Sequence, residues 1–256
     1  MASIPDLSTC KKLGFIVPSS NFAVEPITTA IIQSLNANII CVYTRIQVKQ
    51  VGSDSKSTGQ FSTETMIEAA RLLADAEVDA ILWNGTSGMW VGTDLKADQK
   101  LAQAMKDATG IPCSTTTIAT VSAIGRLRAK KVSLAVPYTA SLTEKLVEFF
   151  EGCGNEVVKA ERLEVTPASN AETARVSVDD MKELVRRAAS PDVGALIIAC
   201  TNLPASGLVD ELEKELGVII LDSIVVTAWW ALRMIDYKGS VKGWGKLMED
   251  MLKGAY

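Results

Sequence analysis

The sequence predicts an α/β fold with two pseudo-symmetric, Rossmann-like halves, each built on a parallel sheet, and a ligand site in the cleft between them. Short apolar runs alternate with longer segments whose apolar residues have helical spacing. Runs of this kind joined by helices are typical of parallel sheets that are covered on both faces. Three stretches of sequence also recur in the same order later in the chain, which indicates a duplicated unit.

The apolar runs are predicted to be strands. They lie at Leu13–Val17, Ile39–Thr44, Ala80–Trp83, Val132–Val136, Glu156–Val158, Leu196–Ala199 and Val218–Leu221. A further short strand is expected to end near Cys113. Periodicity predicts helices over residues 63–76, 94–110, 139–154 and 179–189. Gly110 and Gly152 stand at the positions where a helix commonly ends with a left-handed glycine.

The internal repeat divides the chain. KKLGFIVPSS at Lys11 returns as KKVSLAVPYT at Lys130, VDAILWNGTSG returns as VGALIIACTNL, and GIPCSTTTIATV returns as GVIILDSIVVTA. Apolar strands can look alike by chance, but the ordered Lys-Lys and Val-Pro landmarks favour duplication. We predict a first half over residues 1–120 whose last helix crosses over, a second half over 121–225, and a helical segment over 226–256 that packs back on the first half.

Composition excludes several kinds of site and partner. The net charge is −4 without a basic cluster, so neither nucleic acid nor a membrane surface is an expected partner. The chain has no histidine, which excludes a Ser-His-Asp triad and any metal site with His ligands. No metal is expected.

The sequence favours a location in the cytoplasm. It has five cysteines without a C-x-x-C pair, and it shows neither a leader-like segment nor an apolar segment of membrane length. A homo-oligomer is left open.

Four loops at predicted strand ends form the candidate site, because ligands bind beyond the carboxyl ends of parallel strands. They are Pro18-Ser19-Ser20-Asn21, Gly85-Thr86-Ser87, Pro137-Tyr138-Thr139 and Cys200-Thr201-Asn202. None contains Lys or Arg, and most are expected to lead into helices. Neutral donors and helix N-termini suit a small carboxylic acid whose charge is redistributed as an enediolate forms.

Cys200 is the cysteine placed at such a strand end. A helix N-terminus beside it would favour the thiolate and allow nucleophilic or acid–base chemistry. A buried structural cysteine is the alternative. The other four, Cys10, Cys41, Cys113 and Cys153, are expected to be structural.

Several motifs carry a family resemblance: GFIVPSSN at Gly14, Val-Pro-Tyr at Val136, Asn-Ala-Glu-Thr-Ala at Asn170 and Ala-Cys-Thr-Asn-Leu at Ala199. With them the chain resembles the aspartate/glutamate racemase superfamily, in its maleate cis-trans isomerase and arylmalonate decarboxylase branch, over nearly its whole length. The resemblance implies an enzyme without cofactor. Most members carry a cysteine in each half, whereas this chain has Gly85 at the first of these positions. Arylmalonate decarboxylase shares this departure.

The resemblance also implies residue roles. An oxyanion pocket and proton donor would be formed by Gly85, Thr86, Ser87, Tyr138, Cys200 and Thr201. Asn21 and Asn170 match asparagines that hold a second carboxylate in the isomerases. The predicted substrate-binding set is completed by Pro18, Ser20, Thr139 and Asn202. A cysteine introduced at Gly85 is expected to be accommodated.

The expected activity is decarboxylation of a substituted malonate or similar small dicarboxylate, with Cys200 protonating the enediolate. A maleate isomerase or an amino-acid or hydantoin-type racemase of the same superfamily is one alternative. A non-catalytic domain that binds a small carboxylate is another. Trp83, Met89 and Trp90 flank the Gly85 loop, either as an apolar wall beside the leaving carboxylate or as core packing.

Overall fold

Each half of the chain is centred on a four-stranded parallel sheet. The computed structural model describes residues 6–49, 51–52 and 55–250. The first sheet contains β1 (Lys11–Pro18), β2 (Ile39–Ile46), β3 (Ala80–Trp83) and β4 (Cys113–Thr115), and the second contains β5 (Lys131–Val136), β6 (Glu156–Arg162), β7 (Ala195–Ile198) and β8 (Ile220–Asp222). The strand orders are β2-β1-β3-β4 and β6-β5-β7-β8. The predicted fold class is therefore confirmed.

Helices connect the strands and cover both sheets. They are α1 (Val24–Gln33), α2 (Ser55–Thr58), α3 (Thr63–Ala74), α4 (Gly88–Val91), α5 (Lys96–Thr109), α6 (Thr116–Leu127), α7 (Ala140–Gly152), α8 (Asn170–Thr173), α9 (Val178–Ala188), α10 (Val209–Leu216), α11 (Ser223–Met234) and α12 (Lys246–Asp250). Among the residues that the structure describes, none of the helices has both the length and the hydropathy of a bilayer span.

The internal repeat extends to the pairing register of the strands. Phe15 of β1 pairs with Leu82 of β3, and the residues at the corresponding repeat positions, Leu134 and Ile197, pair in the second sheet. The residues of β3 and β7 are all buried. Burial on both faces explains why these strands are continuous apolar runs rather than alternating ones.

The two predicted helix-ending glycines behave differently. Gly110 follows α5 in the left-handed region, with φ 74°, as predicted. Gly152 instead belongs to the last turn of α7, and the left-handed residue there is Gly154, with φ 87°. Gly152 is needed for close approach, because a Cβ at this position would lie 2.2 Å from the carbonyl oxygen of Thr93.

The C-terminal part of the second half contacts the first half. Helix α11 packs against α6 and α1, and the hydroxyl oxygens of Thr116 and Thr227 lie 2.7 Å apart across the α6–α11 contact. The domain boundaries at 120/121 and 225/226 stay predictions. The contact holds the two halves in one arrangement around the cleft between the strand ends.

Candidate active site

The carboxyl ends of three strands from each half meet around one pocket. Residues at or beyond the carboxyl ends of β1, β2 and β3 face residues beyond the carboxyl ends of β5, β6 and β7. The lining consists of Pro18, Asn21, Val48, Val51, Phe61, Trp83, Gly85, Thr86, Ser87, Trp90, Tyr138, Asn170, Cys200, Thr201 and Asn202. No charged side chain is among these described lining residues. The pocket therefore offers hydroxyl, amide, thiol and backbone groups to an anion.

Two residues of the predicted set do not line this pocket. Oγ of Ser20 accepts a hydrogen bond of 2.9 Å from Nδ2 of Asn170, which does line the pocket. Thr139 is exposed at the start of α7, 3.3 Å from the hydroxyl of Ser141, and it borders a neighbouring cavity. Neither side chain borders the pocket itself, and the predicted substrate contacts of Ser20 and Thr139 stay predictions.

Hydrogen bonds cross the pocket from one half to the other. Nδ2 of Asn21 donates to Oγ1 of Thr201 over 3.2 Å, and the backbone N–H of Phe22 donates to Oδ1 of Asn202 over 3.2 Å. The hydroxyl oxygens of Thr86 and Tyr138 are also 3.2 Å apart. These contacts fix the four predicted loops relative to one another without a charged residue.

Asn21 is held by the helix that follows it. Its Oδ1 accepts hydrogen bonds from the backbone N–H groups of Ala23 and Val24 at the start of α1. Asparagine is favoured at this kind of position because it satisfies N–H groups that lack partners in the helix. The cap directs the Nδ2 group of Asn21 towards the second half.

The Gly85 loop packs against Trp83. A Cβ built on Gly85 would lie 2.4 Å from Cζ2 and 2.6 Å from Cε2 of the Trp83 indole. A cysteine at Gly85 therefore requires this ring to move, and its accommodation stays a prediction. Trp83 also donates its Nε1 hydrogen to Oγ of Ser87 over 3.2 Å. Of the three flanking apolar residues, Trp83 and Trp90 line the pocket, whereas Met89 is buried in the core.

Cys200 is buried beside Tyr138. Burial raises the pKa of the Cys200 thiol, and the nearby charge of Asp222 acts in the same direction, while hydrogen bonds from Tyr138 and the backbone N–H groups of Asn202 and Leu203 oppose the shift. The predicted helix N-terminus is absent, because a turn follows Cys200 and α10 begins only at Val209. The resting group is therefore a thiol rather than an activated thiolate.

The other cysteines lie outside the pocket. Cys10, Cys41, Cys113 and Cys153 are half-buried free thiols. Cys113 begins β4 rather than ending it, so it lies at the end of the strand that is remote from the cleft. Burial raises the pKa values of Cys41 and Cys113 to about 11, which keeps both thiols protonated.

Three pocket residues, Val48, Val51 and Phe61, were absent from the sequence prediction. They belong to the segment after β2, the edge strand of the first sheet. In the second half the equivalent segment after β6 supplies Asn170. The position of this segment was a usable signal, because β2 also ends at the cleft.

The pocket is narrow but adjoins a wider space. Its free volume is about 30 Å³. Val51, Tyr138 and Asn170 also border the neighbouring cavity of about 370 Å³, which carries Lys49 and several hydroxyl groups. Among the residues described, no cluster of three or more His, Cys, Asp or Glu side chains is placed to hold a metal ion.

The family model described as arylmalonate decarboxylase matches residues 13–248. The chain belongs to the arylmalonate decarboxylase family. A maleate isomerase from Nocardia farcinica is 28% identical over 246 residues, which cover 94% of this chain and 96% of the relative. An arylmalonate decarboxylase from Bordetella bronchiseptica is 27% identical over 191 residues, which cover 73% of this chain and 78% of the relative. The relatives of this chain are thus enzymes of two activities.

Solved structures share the whole fold. A Cys-to-Ser variant of the Nocardia farcinica maleate cis-trans isomerase, with a covalently bound succinylcysteine intermediate, has a TM-score of 0.86 at 24% identity and covers 94% of this chain and 99% of its own. An arylmalonate decarboxylase has a TM-score of 0.76 at 24% identity and covers 93% of this chain and 98% of its own. The predicted family is confirmed. Because this family contains both lyases and isomerases, the residues of the site must distinguish the two activities.

Proposed function

We propose that this protein is a cofactor-independent decarboxylase of a substituted malonate or similar small dicarboxylate. The observation that carries the proposal is the asymmetry of the pocket. Cys200 is the single thiol among the described lining residues, and Gly85 stands at the equivalent place in the first half. One thiol can deliver one proton to one face of a carbon, which is what protonation after loss of carbon dioxide requires.

The proposed reaction begins with cleavage of the bond between the α carbon and one carboxylate. That carboxylate departs as carbon dioxide, and its bonding electron pair is delocalised into the second carboxylate as an enediolate. Thr86, Ser87 and Tyr138 donate hydrogen bonds to the enediolate oxygens, where negative charge increases. The Cys200 S–H then transfers its proton to the α carbon and becomes a thiolate. Water returns the proton to Cys200 when the product leaves.

The protonation state of Cys200 supports this role. Burial raises the pKa of Cys200, so the group carries its proton before the reaction. After transfer, the Tyr138 hydroxyl and the N–H groups of Asn202 and Leu203 stabilise the thiolate. The same burial disfavours a resting thiolate that would add to a double bond.

The walls of the pocket support loss of a carboxylate. Val48, Phe61 and Trp90 provide apolar surface in the part of the pocket contributed by the first half, and a carboxylate loses hydration against such a surface. We place the leaving carboxylate there, oriented by the Asn21 and Asn170 amides. The substituent of the malonate extends past Tyr138 into the wider cavity.

Maleate isomerisation is the second candidate. It is supported by the relatives of that activity and by Asn21 and Asn170, which line the pocket and could hold a second carboxylate. The covalent succinylcysteine in the Nocardia farcinica structure indicates a cysteine nucleophile in that protein. In this chain Cys200 would have to take that role as well as any proton transfer.

Incubation in deuterated water distinguishes the candidates. A 2-aryl-2-methylmalonate is expected to release carbon dioxide and give a 2-arylpropionate with one deuterium at the α carbon and one configuration. Conversion of maleate to fumarate without carbon dioxide release would support the isomerase instead. Binding of either acid without turnover would support a binding domain. Cys200→Ser is the matched control, because it keeps the size of the side chain and removes the thiol.

A further inference from the structure

The two halves fill equivalent positions in different ways. Trp83 ends β3 two residues before Gly85, and Ile198 ends β7 two residues before Cys200. The pairing register makes Trp83 and Ile198 equivalent, because Trp83 pairs with Thr115 in β4 and Ile198 pairs with Asp222 in β8. The first half thus has a large side chain and a glycine where the second half has a medium side chain and a thiol.

The volume missing at Gly85 is occupied by the indole of Trp83. A Cβ at residue 85 would lie 2.4 Å from Cζ2 of the ring, closer than two carbon atoms can approach. The ring is 1% exposed, packs against Phe61 with ring centroids 6.0 Å apart, and donates its N–H to Ser87. Moving it aside would break this packing and this hydrogen bond.

We propose that Trp83 is a specificity-determining residue that restricts the pocket to one thiol. This inference rests on the proposed function. The indole edge takes the place from which a first-half acid or base would act, so the α carbon meets a proton donor from the second half alone. The product is then a single enantiomer, and the enzyme does not exchange the α proton of its product.

The same ring sets the direction of a hydrogen bond. Because the indole N–H is donated to Oγ of Ser87, the Ser87 hydroxyl keeps its own hydrogen for another acceptor. In the proposed reaction that acceptor is a carboxylate oxygen. Trp83 therefore positions Ser87 in addition to excluding a side chain at residue 85.

The test is a double-mutant cycle with Gly85→Cys and Trp83→Ile, which together give the first half the residue pair of the second half. Gly85→Cys alone is expected to lower Tm by about 2 to 10 °C through overpacking. Trp83→Ile alone lowers Tm by leaving a cavity. The double variant is expected to be more stable than the sum of the two losses, because the thiol occupies part of that cavity. Additive losses would overturn the proposal.

Chemistry supplies a second readout. In the double variant the introduced thiol is expected to react with iodoacetamide, and malonate is expected to protect it from this reaction. The α-proton exchange of a 2-arylpropionate should rise by at least about tenfold. This minimum is set below the factor of about 100 with which a well-positioned acid–base group begins. Malonate that leaves the introduced thiol unprotected would contradict the proposed geometry.

Two further sets of variants control for nonspecific coupling and for loss of folding. Trp90→Phe changes the other tryptophan of the pocket, and no coupling with Gly85→Cys is expected. If either principal variant fails to fold, Gly85→Ala and Trp83→Phe form a milder cycle with the same expected coupling. If the wild-type protein decarboxylates no malonate, the stability and labelling results still decide the role of Trp83, so the two proposals fail separately.

Discussion

A single buried thiol carries the proposed chemistry, and its surroundings determine which protonation state it has. Cys200 has neither a basic partner nor a helix N-terminus, and burial raises its pKa. An acid that must deliver a proton in the transition state affects turnover more than it affects ground-state binding. Removal of this one sulfur atom therefore tests the proposed role directly.

We expect Cys200→Ala to lower kcat by roughly 10² to 10⁴, the range typical of a positioned acid or base. The Kd for malonate should change by less than about twofold, because the proton is transferred only after binding. Steady-state kinetics and calorimetry measure the two quantities. Cys41→Ala, outside the pocket, is the control. A Cys200→Ala enzyme that keeps more than about a tenth of its activity would contradict the assignment.

The contacts to the proposed enediolate come from hydroxyl groups. Ser87→Ala and Tyr138→Phe are each expected to cost about 2 to 4 kcal/mol of transition-state stabilisation, as removal of one oxyanion donor does. The loss should appear as a lower kcat/KM. Tyr138→Phe should also raise the pKa of Cys200, because the Tyr138 hydroxyl stabilises the thiolate. Thr93→Ala, exposed between α4 and α5 and in the lining of neither cavity, is the control. A Lys or Arg found on the substrate carboxylate in a liganded structure would refute the neutral-donor model.

The secondary-structure elements show where sequence reasoning succeeds. Strands such as Ala80–Trp83 were predicted with their observed bounds, because burial on both faces makes them apolar throughout. β6 extends to Arg162, beyond the predicted end at Val158, because an edge strand also contains charged residues that face solvent. The loops at the strand ends could be placed together because parallel strands point the same way.

Other features depend on packing that a sequence pattern does not encode. The contact between Trp83 and Gly85 depends on the side-chain torsions of one tryptophan. The turn after Cys200 depends on the path of the chain to α10. Ser20 and Thr139 belong to the predicted loops, yet a shift of one residue along the backbone turns their side chains away from the pocket.

The N-terminus of α11 contains a buried carboxylate. Oδ1 of Asp222 accepts hydrogen bonds from the hydroxyl of Ser206 and from the backbone N–H groups of Ile224 and Val225. Oδ2 has no hydrogen-bond partner among the described residues. Burial raises the pKa of Asp222 to about 6. The helix start is therefore sensitive to protonation.

Asp222→Asn should remove a pH dependence of stability. Because the folded-state pKa is raised, the folded protein binds this proton more tightly than the unfolded chain does, so the free energy of unfolding falls as pH rises from about 4 to about 6. The expected contribution is about 3 kcal/mol, and it is constant above this range. Urea unfolding of both proteins at pH 4, 5, 6 and 7 measures the difference. Equal pH profiles in wild type and variant would contradict the prediction.

The whole molecule is organised around a pocket that neither half completes alone. Thr86 meets Tyr138, and Asn21 meets Thr201, across the boundary between the repeats. A ligand held by both halves is lost when either half opens. Binding free energy then stabilises both sheets together rather than one sheet.

Hydrogen exchange tests this coupling. At a malonate concentration 100 times its Kd, the amides of β1 and of β5 that exchange through global unfolding should both slow by about 100-fold, because binding to the folded state alone lowers the unfolded population by that factor. Mass spectrometry of peptides from Lys11–Pro18 and Lys131–Val136 measures the two rates in one experiment. Asn21→Ala, which weakens the contact between the halves, should reduce the slowing in both strands by the same factor, because a lower affinity acts through one shared equilibrium. Slowing confined to β5 would mean that malonate binds the second half alone, and the pocket would then not depend on the meeting of the two repeats.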